Sequence, residues 1–378
     1  MHRRRFLTVV AAGGATLALP ACDRMPASAI AAWQGPRNDL PDLRQRLLSW
    51  ALLAPNPHNM QPWLADLREP DSITLSLDPQ RLLPVTDPPG RQILIGCGAF
   101  IELLRMAAAQ EGQRAQVELF PQGEPRPDML DTRPVARVRL TRDAAVARDP
   151  LFDFVRERRT NRSPYEARVP DGALLKSLPE AVSTPGIETT VVTDAARVAA
   201  LSAIAADGYR LEFATPAAFA ESARVVRIGA EEIAAEPSGI AVHGAVIWWA
   251  RKLGLMKRDD VFDPNSSGTR RVIDTFVNAM AATPVWVYQS SRDDRRVTQL
   301  DAGRAYLRLA LAGTRAGLAA HPNSQTLQEY PEMAALYARV HAQVQVAAPA
   351  RIQMLARVGY APAVGPAPRR AVERLVKA

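Results

Sequence analysis

Cysteine is scarce in this chain, and its scarcity excludes a fold held together by several disulfides. Only two cysteines, Cys22 and Cys97, occur among the 378 residues, so no framework of bridges can form. Cys97 lies at the start of an apolar helical pattern, where a helix N-terminus can lower a thiol pKa and permit a redox role. A small buried packing residue is the alternative that we favour.

Motifs of several common enzyme classes are also missing. The five histidines show no zinc-ligand spacing, and the chain has no G-x-S-x-G elbow, P-loop or G-x-G-x-x-G fingerprint. The carboxylates are scattered, which gives no sign of the paired acids of a glycosidase. No basic run is interleaved with aromatic residues, so nucleic acid is not an expected partner.

The chain instead combines a globular composition with a surplus of arginine. Hydrophobic residues make up 47% and charged residues 23% of the sequence, which is typical of a folded protein with one large or two ordinary domains. The formal net charge is +8. Because arginine binds phosphate through two parallel hydrogen bonds, this surplus favours a phosphate-bearing ligand.

The N-terminal residues have the composition of an export signal. The apolar stretch Phe6–Leu19 is too short for a bilayer span of about 20 residues but fits a signal peptide. Arg4-Arg5-Phe6-Leu7 resembles a twin-arginine signal. Leu19-Pro20-Ala21-Cys22 resembles a bacterial lipobox with Cys22 as the lipidated residue, and cleavage after Ala29 is the alternative. We expect an exported protein that is either periplasmic or held to the membrane by a lipid on Cys22.

Patterns along the chain predict three segments. Residues 1–37 are the signal and a tether rich in alanine and proline, residues 38–148 form a first unit, and residues 149–378 form a second. Within the second unit, residues 208–282 are alanine-rich and helical and include the paired Trp248-Trp249. They are predicted to be an insertion.

The most informative segment is a polar bend, Ala54–Trp63, in which prolines flank Asn59 and Gln61. Proline fixes its own φ and extends the residue before it, so the bend can present two side-chain amides in a fixed geometry. Amides both donate and accept hydrogen bonds, which suits a flat heteroaromatic ligand. A proline-rich turn that only ends the preceding helix is the alternative.

A basic segment follows at about residue 160. Arg158, Arg159 and Arg162 surround Thr160 just after a helical pattern. Three guanidinium groups and a hydroxyl can enclose a phosphate. The same residues are also consistent with a solvated basic helix end, where the helix dipole favours cations.

Two further segments lie towards the C-terminus. Gly317 and Leu318 end a long helical pattern, which is also the ordinary place of a glycine cap. Arg369 and Arg370 follow the segment Val358-Gly359-Tyr360-Ala361-Pro362 and are also consistent with a solvated basic tail.

Together these segments resemble the nitroreductase family of FMN proteins. Residues 54–63 are similar to its A-P-S-x-x-N-x-Q-P-W signature. Residues 158–162 resemble its R-R-S-x-R entry, which holds the FMN phosphate and the isoalloxazine edge. Residues 302–320 resemble its long helix that ends in Gly-Leu-Gly close to the flavin. Residues 358–370 resemble its final I-G-Y-P strand and phosphate-binding arginine.

The chain departs from the family in two residues and in the order of its motifs. Asn56 stands where the family has Ser, and Ala319 stands where it has Gly. Ordinary members are homodimers with FMN between the subunits, and their R-R-S-x-R entry precedes the bend. Here that entry follows the bend by about a hundred residues. This order is similar to the Acg-like branch, which implies two fused nitroreductase-like halves, one flavin site and a lid formed by the insertion.

The resemblance implies an α+β fold of mostly antiparallel sheets flanked by long helices, an FMN cofactor, and redox chemistry at flavin N5 without a catalytic side chain. It implies an oxidoreductase with an unidentified substrate and electron donor. A non-catalytic protein that sequesters FMN or serves interaction is the alternative. We expect a monomer, built as a pseudo-dimer, or a weak homo-oligomer. The implied FMN-binding residues are Asn59, Gln61, Arg158, Arg159, Thr160, Arg162, Gly317, Leu318, Arg369 and Arg370.

Overall fold

A computed structural model describes residues 23–182 and 184–377, so the predicted signal sequence and Cys22 lie outside the described residues. The first part of the chain builds a four-stranded antiparallel sheet with the strand order β1-β2-β4-β3. Its elements are α1 Ala27–Ile30, α2 Leu43–Ala51, β1 Trp63–Asp66, β2 Ser72–Leu77, α3 Arg91–Gln110, β3 Gln113–Leu119 and β4 Ala136–Arg142.

The second part builds another four-stranded antiparallel sheet, β5-β8-β10-β9, and a small parallel pair, β6-β7. Its elements are α4 Gly172–Glu180, β5 Ile187–Val192, α5 Ala195–Ala214, α6 Pro216–Arg224, β6 Val226–Ile228, α7 Gly229–Ala235, β7 Ile240–Val242, α8 Ala245–Lys252, α9 Ser267–Ala281, β8 Val285–Ser291, α10 Arg296–Arg315, β9 Ala319–Pro322, α11 Ala334–Gln343 and β10 Arg351–Gly359.

The two large sheets are built to one plan. In each, the four strands occur in the same spatial order relative to the chain, and a 20-residue helix joins the second strand to the third. The predicted α+β class is therefore confirmed. That the two parts are fused halves of common build stays a prediction.

Aspartate side chains cap three of the helices. The side chains of Asp42, Asp171 and Asp194 accept hydrogen bonds from the first free backbone amides of α2, α4 and α5. Such caps satisfy amide groups that have no partner inside the helix, and each contributes about 1 kcal/mol. By contrast, the helical pattern expected before Arg158 forms only the 3₁₀ turn Pro150–Phe154.

The centre of the molecule is the pair of long helices. α3 and α10 pack directly against each other, and one cluster of buried apolar side chains includes members of both sheets. α3 is long and apolar enough to cross a membrane by length and composition, but 89% of its most apolar window is buried. It is therefore a core helix, and the core extends across the predicted boundary near residue 149.

Both described ends of the chain pack against the first sheet or its surroundings. Trp33 is buried and its indole nitrogen donates to the carbonyl of Ala367 at 2.8 Å. The backbone of Ala65 on β1 exchanges hydrogen bonds with Leu375 and Lys377, each at 2.8 Å. The prediction that residues 23–37 form only a tether is therefore wrong for residues 27–34, which are helical and packed.

The predicted insertion is more integrated than its composition suggests. It begins inside α5, where Tyr209 is buried and its Oη lies 3.5 Å from Nε2 of His321 on β9, outside the insertion. It also contains the strands β6 and β7. Trp248 and Trp249 lie on α8, a helix with no buried residue. That the insertion acts as a lid stays a prediction.

Candidate functional site

The polar bend between α2 and β1 has an unusual backbone. His58, Asn59 and Gln61 have φ values of 46°, 54° and 50°, in the left-handed region that costs non-glycine residues about 1–3 kcal/mol each. The side chain of Asn56 spans the bend, because its Oδ1 accepts from the Gln61 amide at 2.8 Å and its Nδ2 donates to the Ala54 carbonyl at 3.2 Å. Asn56, in the family's Ser position, thus helps to hold the bend closed.

Asn59 and Gln61 contact the C-terminal segment. Asn59 Oδ1 accepts from Arg369 Nη1 at 2.7 Å, and Gln61 Oε1 accepts from the backbone amide of Arg370 at 2.8 Å. Gln61 Nε2 donates to the carbonyl of Pro237 in the insertion at 3.0 Å. The side-chain oxygen and nitrogen of the fully buried Gln61 are both used within the protein, so this residue positions Arg370.

Three arginines converge on the ring of Trp33. The guanidinium carbons of Arg158, Arg159 and Arg369 lie 5.8, 4.3 and 5.1 Å from the ring centroid. Within the part of the chain that the structure describes, their hydrogen bonds go to backbone carbonyls and to Asn59, and none of the three forms an ion pair with a carboxylate. We call these three arginines the arginine cluster.

Burial and repulsion between like charges disfavour the charged forms of the arginines in this cluster. Burial lowers the pKa of Arg158 to about 10, and burial together with the charges of Arg158 and Arg159 lowers the pKa of Arg369 to about 9. The buried Nε atoms of Arg159 and of neighbouring Arg370 have no hydrogen-bond partner among the described residues. Buried unpaired charge is costly, and an anion in contact with these groups would relieve that cost.

Thr160 and Arg162 lie between the arginine cluster and the second sheet. Thr160 forms a parallel bridge with Ala320 of β9, where the amide of Asn161 donates to the Ala320 carbonyl at 3.0 Å. The Arg162 side chain is exposed, and its positive charge lowers the pKa of both His58 and His321 after the larger effect of their burial. Segment 158–162 therefore connects the arginine cluster to a second group of polar residues.

The second polar group surrounds His321 of strand β9. His321 Nδ1 accepts from Arg357 Nε at 3.0 Å, and Tyr209 Oη lies 3.5 Å from His321 Nε2. Burial holds the pKa of His321 well below its usual value, so the imidazole is neutral and its proton is assigned to Nε2, opposite the nitrogen that accepts. His58 contributes an Nδ1 that is buried without a partner in the described chain.

Gly317 and Leu318 form a helix cap. Gly317, with φ 69°, donates to the Thr314 carbonyl at 3.0 Å, and Leu318 donates to the Gly313 carbonyl at 2.8 Å. This pair of bonds is the Schellman arrangement that ends a helix. Leu318 is buried in the core and Gly317 is exposed. Neither brings a polar side chain to the arginine cluster.

The structure thus gathers the bend, segment 158–162 and Arg369 and Arg370 into one region. Sequence reasoning missed Trp33, Tyr209 and Arg357, although Trp33 was the only aromatic residue in the supposed tether. That isolated aromatic was the one signal that could have identified it. The fold and the site together define an α+β protein with a buried cluster of arginines between distant parts of one chain.

No family model matches the sequence, but comparison with known proteins finds similar relatives. The "Putative NAD(P)H nitroreductase acg" of Mycobacterium tuberculosis is 29% identical over 343 residues, which covers 85% of this chain and 90% of the relative. A second protein of that organism, also named as a putative NAD(P)H nitroreductase, is 26% identical. The match covers 88% of this chain and 90% of that relative. The resemblance to the nitroreductase family and its Acg-like branch is confirmed.

Solved structures give more distant similarities. The FMN and NADPH-dependent nitroreductase NfnB from Sphigopyxis has 18% identity and a TM-score of 0.36, covering 61% of this chain and 98% of its own. An FMN-dependent nitroreductase from Clostridium difficile has 13% identity and a TM-score of 0.32, covering 56% of this chain and 87% of its own.

Proposed function

We propose that this chain is an FMN-dependent oxidoreductase of the nitroreductase type. The observation that carries the proposal is the convergence of Arg158, Arg159 and Arg369, without a carboxylate partner in the described chain, beside a bend that matches the family signature. The similarity to proteins named as NAD(P)H nitroreductases supports it.

The residues present fit the phosphate of FMN. A phosphate dianion accepts several charge-assisted hydrogen bonds and would neutralise like charges that are otherwise buried together. Arg158, Arg159 and Arg369 would hold it. The Nε of Arg370, which has no partner among the described residues, and the hydroxyl of Thr160 lie in the same segments.

Other residues would orient the cofactor. Asn59 and Gln61 position Arg369 and Arg370, and Arg162 corresponds to the family position at the isoalloxazine edge. Gly317 and Leu318 would approach the flavin through the backbone, as the family resemblance implies. Hydride transfer at N5 is the chemistry that bound FMN supplies. The chain's own contribution is to bind, to orient and to exclude water, and no nucleophilic side chain is required.

The test is the visible absorption spectrum of the purified protein, with the released chromophore identified and counted. About one FMN per chain is expected, either as isolated or after FMN is added. A colourless protein that binds no added FMN would overturn the proposal, because the arginine cluster would then serve only the fold.

The proposal includes action outside the cytoplasm. The twin-arginine pattern and Cys22 support export as a periplasmic protein or lipoprotein. Free NAD(P)H is not expected there, so the electron donor would be a quinone, a partner protein or a small reductant. We expect one flavin site within a single chain, and thus a monomer or a weak oligomer. Cell fractionation and mass spectrometry of the N-terminal peptide test this placement, and an unprocessed cytoplasmic chain would contradict it.

One observation favours a second candidate, a protein that holds FMN without turnover. The indole of Trp33 already lies over all three guanidinium groups, so the N-terminal segment covers part of the cluster. Reduction of the bound flavin separates the two candidates. An oxidoreductase is reduced by a physiological class of donor such as a quinol, whereas a sequestering protein is reduced by dithionite alone.

A further inference from the structure

Exposed apolar residues are concentrated in one stretch of the chain. Eight large hydrophobic residues are exposed among the described residues, and six of them lie between residues 246 and 272. Val246 and Leu255 are 77% and 72% exposed, and α8 has no buried residue at all. Scattered exposed apolar residues are normal, but a group of this kind marks an interaction site.

Basic residues border these apolar side chains. Residues 245–258 contain Arg251, Lys252, Lys257 and Arg258 and no acidic residue, although Asp259 and Asp260 follow. Arg258 lies 3.7 Å from Glu232, whereas Lys252 and Lys257 are exposed and form no ion pair with the described residues. Lysine beside tryptophan and leucine on one short helix is the composition of a segment that lies in a membrane interface.

The start of the described chain is held beside this region. Asp23 accepts hydrogen bonds from the backbone amides of Ala230, at 2.5 Å, and of Gly244, at 3.0 Å. Gly244 directly precedes α8. Asp23 is also the residue that follows the predicted lipidation site Cys22. The predicted attachment point of the lipid therefore adjoins a residue that is hydrogen-bonded directly before α8.

We propose that the surface formed by Val246, Trp249, Lys252, Leu253, Leu255 and Lys257, here called the α8 surface, docks on a bilayer that contains anionic phospholipid. Apolar side chains would enter the headgroup boundary while the two lysines contact lipid phosphates. Stable membrane binding takes two signals, and the α8 surface provides one beside the predicted lipid anchor. This inference does not depend on the bound cofactor or on turnover.

A fluorescent probe at two positions tests the contact. In the full-length chain with Cys22→Ser, a polarity-sensitive fluorophore is attached at Leu255→Cys or, as control, at Met129→Cys, which is also exposed and lies in the first part of the chain. Cys97 is buried and does not compete for the label. Vesicles of phosphatidylglycerol and phosphatidylethanolamine are then added. A blue shift at position 255 alone supports docking, and no shift there, or equal shifts at both positions, overturns it.

Charge removal gives an independent measurement. Lys252→Gln with Lys257→Gln should lower partitioning of the full-length chain onto the same vesicles by roughly 30-fold, because each lysine near an anionic surface contributes about fivefold. The control, Lys176→Gln with Arg139→Gln, removes the same charge from exposed positions elsewhere. Equal partitioning of both double variants would overturn the proposal. So would lipid-free dimerisation that the α8 variant abolishes while its vesicle binding is unchanged.

Discussion

Gly98 on α3 and Gly303 on α10 bring the backbones of the two long helices into direct contact. A Cβ atom added to Gly98 would lie 1.9 Å from the carbonyl oxygen of Leu300, and one added to Gly303 would lie 1.8 Å from that of Ile95. We predict that Gly98→Ala or Gly303→Ala lowers the free energy of unfolding by about 1–3 kcal/mol, because the helices must separate. Urea denaturation measures this change.

The control for this prediction lies on the same helix. A Cβ atom at Gly313 would meet nothing closer than 3.9 Å, so Gly313→Ala should leave stability unchanged or raise it by up to about 1 kcal/mol through helix propensity. If all three variants gain stability, the close approach of α3 and α10 is not a feature of the protein in solution.

The arginine cluster yields a binding prediction. If the cluster holds the FMN phosphate as proposed, Arg158→Ala and Arg369→Ala should each weaken FMN binding by about 1.5–3 kcal/mol, or roughly 10- to 150-fold in Kd, because each would remove a charge-assisted hydrogen bond. Fluorescence titration with FMN measures the affinity, and circular dichroism confirms that the variants are folded. Arg139→Ala, an exposed arginine near Glu69, is the matched control. Affinity equal to the control in both variants would remove the cluster from the FMN site.

Local patterns in the sequence predicted much of this fold. The apolar helical pattern at Cys97 and the long one that Gly317 ends depend on residues within a few positions of one another, which is why they can be recognised without tertiary information. The bend at residues 54–63 was recognised for the same reason, since its prolines restrict the backbone directly.

The missed features depend on contacts between distant residues. Trp33 is buried only because the segment around Ala367, 334 residues away, comes to lie beside it. Nothing in the alanine-rich sequence around Trp33 indicates that packing. Likewise, Asn59 could be expected at the site, but its hydrogen bond to Arg369 spans 310 residues. The amide was therefore expected to face a ligand, whereas it positions an arginine.

Gln61 provides a prediction about the bend. Its buried side chain connects the carbonyl of Pro237 with the amide of Arg370. Gln61→Ala would leave both backbone groups without partners, and each unsatisfied buried group costs about 1–3 kcal/mol. We expect a fall in the free energy of unfolding of at least that size, measured by urea denaturation. Gln80→Ala, at an exposed position, should change it by less than about 0.5 kcal/mol. Equal values for the two variants would contradict the bridging role.

Glu102 on α3 predicts a pH dependence of stability. Its buried carboxylate contacts Arg105 at 2.7 Å and, on α10, Arg308 at 3.1 Å and Arg304 at 3.4 Å. Burial alone would raise its pKa, but the bond to Arg105 and the charges of the three arginines outweigh that effect and hold the pKa at about 2, below its usual 4.5.

Because the pKa of Glu102 is depressed in the folded state, its stabilising contribution is present above about pH 4.5 and is lost as the pH falls towards about 2. The difference corresponds to about 3 kcal/mol. Urea denaturation at several pH values should show that the free energy of unfolding falls less steeply towards acid pH in Glu102→Gln than in the native chain. Glu69→Gln, which removes an exposed carboxylate, should decline like the native chain. Identical acid profiles for Glu102→Gln and the native chain would contradict the assignment.

The environment of Cys97 decides between the redox role and the packing role that the sequence left open. The thiol is fully buried on α3, and burial raises its pKa to about 12. Almost no thiolate exists at pH 8, so in a Cys22→Ser chain we expect Cys97 to react with a thiol reagent more slowly than after unfolding in urea, by roughly a thousandfold or more. Absorbance of the released reagent group measures both rates. Rapid reaction in the folded protein would instead restore the redox role, since only an accessible, activated thiolate could account for it.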